Sequence, residues 1–106
     1  MINAKIFRDS EEGKIIGFSV ENHGESFVCA AVSMLVINTI NSIELLTEAK
    51  ITYNADEDDG GFITFSLEDP SNRSDGIGIL LNAMFIGLSS AKEEHPDELE
   101  IKEIFV

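Results

Sequence analysis

Glu21-Asn22-His23-Gly24-Glu25-Ser26-Phe27-Val28-Cys29-Ala30-Ala31-Val32-Ser33 is the stretch on which this chain changes period. Before it, Lys14 to Val20 reads as a strand rich in β-branched residues, and after it Val28 to about Glu48 carries apolar residues at helical spacing. The polar turn between the two holds His23, one of only two histidines. The sole cysteine, Cys29, follows six residues later at the head of the helix. A thiol in a first helical turn lies among N–H groups that lack intrahelical partners and at the positive end of the helix dipole, and both favour the thiolate. An imidazole nearby adds a base. Thiolate, base and helix start are the parts that thiol nucleophilic catalysis needs. A lone cysteine in a small domain also serves readily as a buried small hydrophobe.

Working outward, Ile2 to Phe7 reads as a first strand, joined to the second across Asp9-Ser10-Glu11-Glu12-Gly13 in a hairpin. Within the first helix Val32, Leu35, Val36, Ile40, Ile43 and Leu46 are expected to face the core. Asn38, Asn41, Glu44 and Glu48 form a polar stripe. Residues 27–37 are apolar almost all round, which predicts that the first half of this helix is buried. Lys50 to Asn54 and Phe62 to Leu67 read as the third and fourth strands, on either side of the turn Asp56-Glu57-Asp58-Asp59-Gly60-Gly61. Ser74-Asp75 supply N-cap residues for a second helix from about Gly76 to Glu94, with Ile77, Leu80, Leu81, Met84, Leu88 and Ala91 on its apolar face. Pro96 ends it, and Leu99 to Val106 is the last strand. The order β-β-α-β-β-α-β predicts an α+β two-layer sandwich, a single domain over residues 1–106 with one sheet and two helices on one of its faces. The order of strands in the sheet does not follow from the sequence.

Charge narrows the partners. The formal net charge is −13, from 20 acidic and 7 basic residues, with no Lys/Arg cluster, so binding to nucleic acid is disfavoured. An acidic surface suits a Lys/Arg-rich peptide, and it also serves solubility alone. Met1 to Asp9 carries no apolar stretch of the secretory type, and the longest apolar run, about ten residues, is short for a bilayer span. One cysteine forms no internal disulfide, which fits the cytosol. No membrane partner is expected.

Phe27-Val28-Cys29-Ala30-Ala31-Val32-Ser33 resembles the signature of the ribosomal-processing cysteine proteases, a family of small bacterial domains whose pattern ends in Gly-x-Asp-Ile-Val-Cys-Ala-Ala-x-Ser. The acidic run and Gly60-Gly61 ahead of Phe62 look similar to the family as well. So does Leu80-Leu81-Asn82-Ala83-Met84-Phe85-Ile86-Gly87-Leu88, and the likeness covers essentially the whole chain. The resemblance implies a cysteine endopeptidase that removes a short N-terminal extension from a large-subunit ribosomal protein. It also implies action in the cytoplasm, no metal or cofactor, and a homodimer. Carried over residue by residue, Cys29 is the nucleophile, His23 the general base, and Ser33 a substrate-binding hydroxyl. Helix geometry adds the backbone N–H groups of Cys29 and Ala30 as oxyanion donors. Among the chain's departures from the pattern, only five residues separate His23 from Cys29, Asn22 stands for the family's glycine, Gly24 for its alanine, and Ser26 for its aspartate.

Two further readings fit the same residues. One is a non-catalytic acidic binding domain that holds a basic protein tail with Cys29 buried and inert. The other is a redox sensor, since an accessible thiolate at a helix start also oxidises. Ser33 lies four residues after Cys29 and so shares its helix face, where its hydroxyl either meets substrate or bonds back to the helix. Asp56 to Asp59 lack the alternating spacing and distal Glu of a calcium loop and read as a hairpin turn. His95, beside Pro96, reads as a solvated helix-end residue.

Overall fold

The computed structural model describes residues 1–22, 26–56, 61–71 and 76–106. Its elements follow the expected order: β1 (Ile2–Arg8), β2 (Ile15–Glu21), α1 (Ser26–Leu46), β3 (Ile51–Asp56), β4 (Phe62–Leu67), α2 (Ile77–Glu94) and β5 (Leu99–Phe105). The five strands form one sheet in the order β3-β4-β2-β1-β5. All neighbours are antiparallel except β1 and β5, which run parallel with Ile2 opposite Leu99. The sheet is therefore mixed, with β2 in the middle and β1 between β2 and β5.

Register explains the core. Ala4 pairs with Val20, Ile6 with Phe18, and Phe18 with Phe65, so the alternating apolar residues of β1, β2 and β4 point to one face. Phe18 and Phe65 stack there with centroids 5.0 Å apart. Both helices cover that face. Val28, Val32, Val36, Ile40 and Ile43 of α1 and Ile77, Leu81, Met84 and Leu88 of α2 join Ile2, Ile6, Phe18 and Leu99 in one buried cluster. Each such side chain contributes roughly 1.5–3 kcal/mol on leaving water. The helices also pack on each other. An added Cβ on Gly87 of α2 would stand 2.7 Å from a Leu35 methyl of α1, so the crossing is as close as it is because residue 87 has no side chain.

Three expectations need correction. The first half of α1 is not buried all round: Phe27 is 83% and Met34 71% exposed. A helix on a two-layer fold has a core on one side only, and apolar periodicity that runs right round carries no direction. Leu46 does not face the core either, because α1 ends there and leaves it exposed. The residue that caps α2 is Gly76 in a left-handed conformation (φ 88°), whose carbonyl accepts from the Leu80 N–H at 2.8 Å. Ser74 and Asp75, expected to cap, lie outside the described residues. By length and composition α1 is long and apolar enough to cross a membrane. In the fold it is a core helix, laid on the sheet through its Val28–Ile43 side.

The end of the sheet around residues 8–14 is tied tightly. Asp9 accepts from the amides of Glu12 (2.6 Å) and Lys14 (3.1 Å), with Gly13 at φ 71° closing the turn. Arg8 donates to the Gly13 carbonyl at 2.7 Å and to Glu103 at 2.8 Å, and its guanidinium lies 4.9 Å from the Phe85 ring centre. Ser10 donates to the Val106 carbonyl at 2.8 Å.

Candidate active site

The opposite end of the sheet holds the sole cysteine. Cys29 is the fourth residue of α1, in its first turn, and is half-buried. It lines a cavity of about 320 Å³ that lies between α1 and the ends of β2, β3 and β4. Ser33 and Ile37 follow Cys29 at successive steps of four, so one flank of α1 presents all three to this cavity. The remaining wall is Ile2, Val20, Val32, Ala55, Phe62 and Ile63, which are apolar, with Asn22, Asp56 and Gly61 at its polar edge. A thiol flanked by apolar side chains at a helix start is an arrangement that could attack the carbonyl of an extended peptide.

Local geometry explains one of the sequence departures. Asn22 has φ 72°, the left-handed region that costs most residues and that Asn and Gly tolerate. Its N–H donates to the carbonyl of Gly61, itself at φ 81°, at 3.1 Å. The start of the His23 turn is thus held against the start of β4. The position calls for a residue that accepts positive φ, and Asn is one of the few besides glycine that does so readily.

Sequence reasoning placed Cys29 and Ser33 on one face, and the structure puts both on one cavity. His23 lies outside the described residues, as do Glu57 to Gly60 of the acidic turn. Ala30 is exposed on the outer side of Cys29. α1 begins at Ser26, so Cys29 lies in its first turn and Ala30 one residue deeper. His95 is exposed after α2, as expected. No group of three metal-ligating side chains occurs among the described residues. Asp56, read from sequence as part of a turn, is instead the last residue of β3, opposite Phe62, and lines the cavity. Only the hairpin register, which is set by tertiary pairing, could have placed it there. A larger hollow of about 550 Å³ lies on the sheet's other face, between Lys5, Phe7, Thr64 and Pro70, and no cysteine or histidine lines it.

Fold and cavity together are those of a small cysteine protease. The chain belongs to the cysteine protease Prp family, whose model matches residues 1–100. The ribosomal processing cysteine protease Prp of Bacillus subtilis is 27% identical over 110 residues, covering 95% of this chain and 96% of that one. Its counterpart from Staphylococcus aureus is 24% identical over 98 residues, 87% and 90% of the two chains. Among solved structures, SMU.848 from Streptococcus mutans superposes with a TM-score of 0.87 at 28% identity, covering 100% of this chain and 99% of that one. The essential ribosomal processing protease Prp from S. aureus, in complex with a covalently linked product peptide, superposes with a TM-score of 0.85 at 26% identity, covering 97% and 99%.

Proposed function

We propose that this protein is an endopeptidase that removes an N-terminal extension from a large-subunit ribosomal protein in the cytoplasm. The observation that carries the reading is the Cys29 thiol in the first turn of α1, lining an apolar cavity with Ser33 one turn further on. Cys29 is the nucleophile. His23 takes the thiol proton, the sulfur attacks the scissile carbonyl, and His23 returns the proton to the leaving amine. Water then hydrolyses the thioester, releasing the second product and the free thiol. The backbone N–H groups of Cys29 and Ala30 receive the developing oxyanion. The Ser33 hydroxyl bonds the substrate backbone beside the sulfur. The same fold in S. aureus Prp accommodates a substrate peptide, which supports a peptide in this cavity.

The working unit is a homodimer. Residues 26–43 of α1 and 77–91 of α2 include no charged side chain, although the chain carries a net charge of −13. Phe27, Met34, Ile79 and Ile86 are 66–83% exposed on those helices. Two strongly acidic copies repel least where neither carries charge, and an apolar face is stabilised by being covered.

The deciding experiment incubates the purified protein with a large-subunit ribosomal protein carrying its N-terminal extension and follows intact mass. A single N-terminal cut, absent with Cys29→Ala, is the expected result. An intact substrate alongside a thiol that iodoacetamide alkylates readily at neutral pH would transfer the protein to the redox reading. An intact substrate with an unreactive thiol would leave the binding domain. Ribosomal peptide affinity should fall as salt rises, and RNA should not bind. Sedimentation tests the dimer: Met34→Glu with Ile86→Glu should yield monomer.

A further inference from the structure

We propose that Asp56 determines specificity, by seating a cationic side chain of the substrate close to the scissile bond. The inference rests on the protease reading and names a substrate feature that the reading leaves open. Three observations carry it. Asp56 is the one charged residue among the described residues that line the Cys29 cavity. It is held in place by the β3–β4 register, in which Asp56 stands opposite Phe62 and Ala55 opposite Ile63, both pairs on the cavity wall. The other wall residues are largely apolar, so among the described residues of the wall no second charge repels a cation at Asp56 or competes for it.

A substrate running past Cys29 meets Asp56 before it leaves the cavity. A Lys or Arg at that point gains an ion pair, whereas Asp or Glu meets like charge. Because Asp56 is exposed in the absence of substrate, the gain is that of a solvated pair, about two- to fivefold in kcat/KM. The general negative charge of the chain raises encounter with any basic peptide, but only a fixed carboxylate on the wall selects one position along it.

The test is cleavage profiling of a randomised oligopeptide library by mass spectrometry, with wild-type protein and with Asp56→Asn, Asp56→Glu and Asp56→Lys. The wild type should enrich Lys and Arg about two- to fivefold at one position near the cut. Asp56→Asn should flatten that position alone, Asp56→Glu should restore it, and Asp56→Lys should turn the preference towards Asp and Glu. Circular dichroism of each variant checks the fold. No cationic preference in the wild type, or the same preference in Asp56→Asn, overturns the inference. If the wild type cuts no peptide at all, the protease reading fails separately. Which library peptides the Cys29→Ala protein retains, with and without Asp56→Asn, then decides the role of Asp56 by the same criterion.

Discussion

The two ends of the sheet are built on opposite principles. At one end, Asp9, Arg8 and Ser10 use their side chains to hold backbone amides and carbonyls, and Arg8 adds Glu103 and the Phe85 ring. At the other, the Asn22–Gly61 backbone hydrogen bond extends the pairing of β2 with β4 to the edge of the Cys29 cavity. If the cavity end performs the chemistry proposed for it and the far end maintains the sheet, substitutions at the two should separate stability from activity.

The largest effect should come from Cys29→Ser. Loss of the thiolate should lower cleavage about a thousandfold or more, while the small change in size leaves the thermal midpoint near wild type. A variant that kept measurable turnover would move the nucleophile elsewhere. Next, His23→Ala should cost about 10²- to 10⁴-fold in kcat with little loss of stability, and a near-normal kcat would make His23 a bystander of its turn. At the far end the pattern should invert. Arg8→Ala should destabilise the fold by about 1–2 kcal/mol in urea unfolding, discounted because Glu103 is 45% exposed, and kcat per folded molecule should hold. A fall in kcat there would mean that the two ends are coupled. The smallest effect belongs to Asn22→Gly, expected to stay within about 0.5 kcal/mol because either residue accepts positive φ. Asn22→Val, β-branched at the same φ, should lose about 1–2 kcal/mol, which urea unfolding of the pair would resolve.

Much of the stapled end and the strand order along the chain was legible. Runs such as Lys14 to Val20 and Phe62 to Leu67 alternate in a way only a strand uses, and Asp9 to Gly13 is a turn by composition. The Cys29–Ser33 pairing followed from helical geometry. What the sequence hid was non-local. The place of β5 beside β1, and of Asp56 on the wall of the Cys29 cavity, depends on tertiary pairing. The exposure of Phe27 and Met34 was invisible because a helix apolar on every side does not say which side meets the sheet. Asn22 looked like a loss from the family pattern until its φ showed that the backbone, not the side chain, was what mattered.

The parallel pairing of β1 with β5 has a bearing on synthesis. Ile2 waits for Leu99, which leaves the ribosome last of all the strands, and non-local pairing of this kind is slow to form. Until then the nascent chain holds β1 with one edge unsatisfied, open to the wrong partner. A chain cut short before β5 would keep Cys29 and the four other strands and still be exposed to aggregation through that edge.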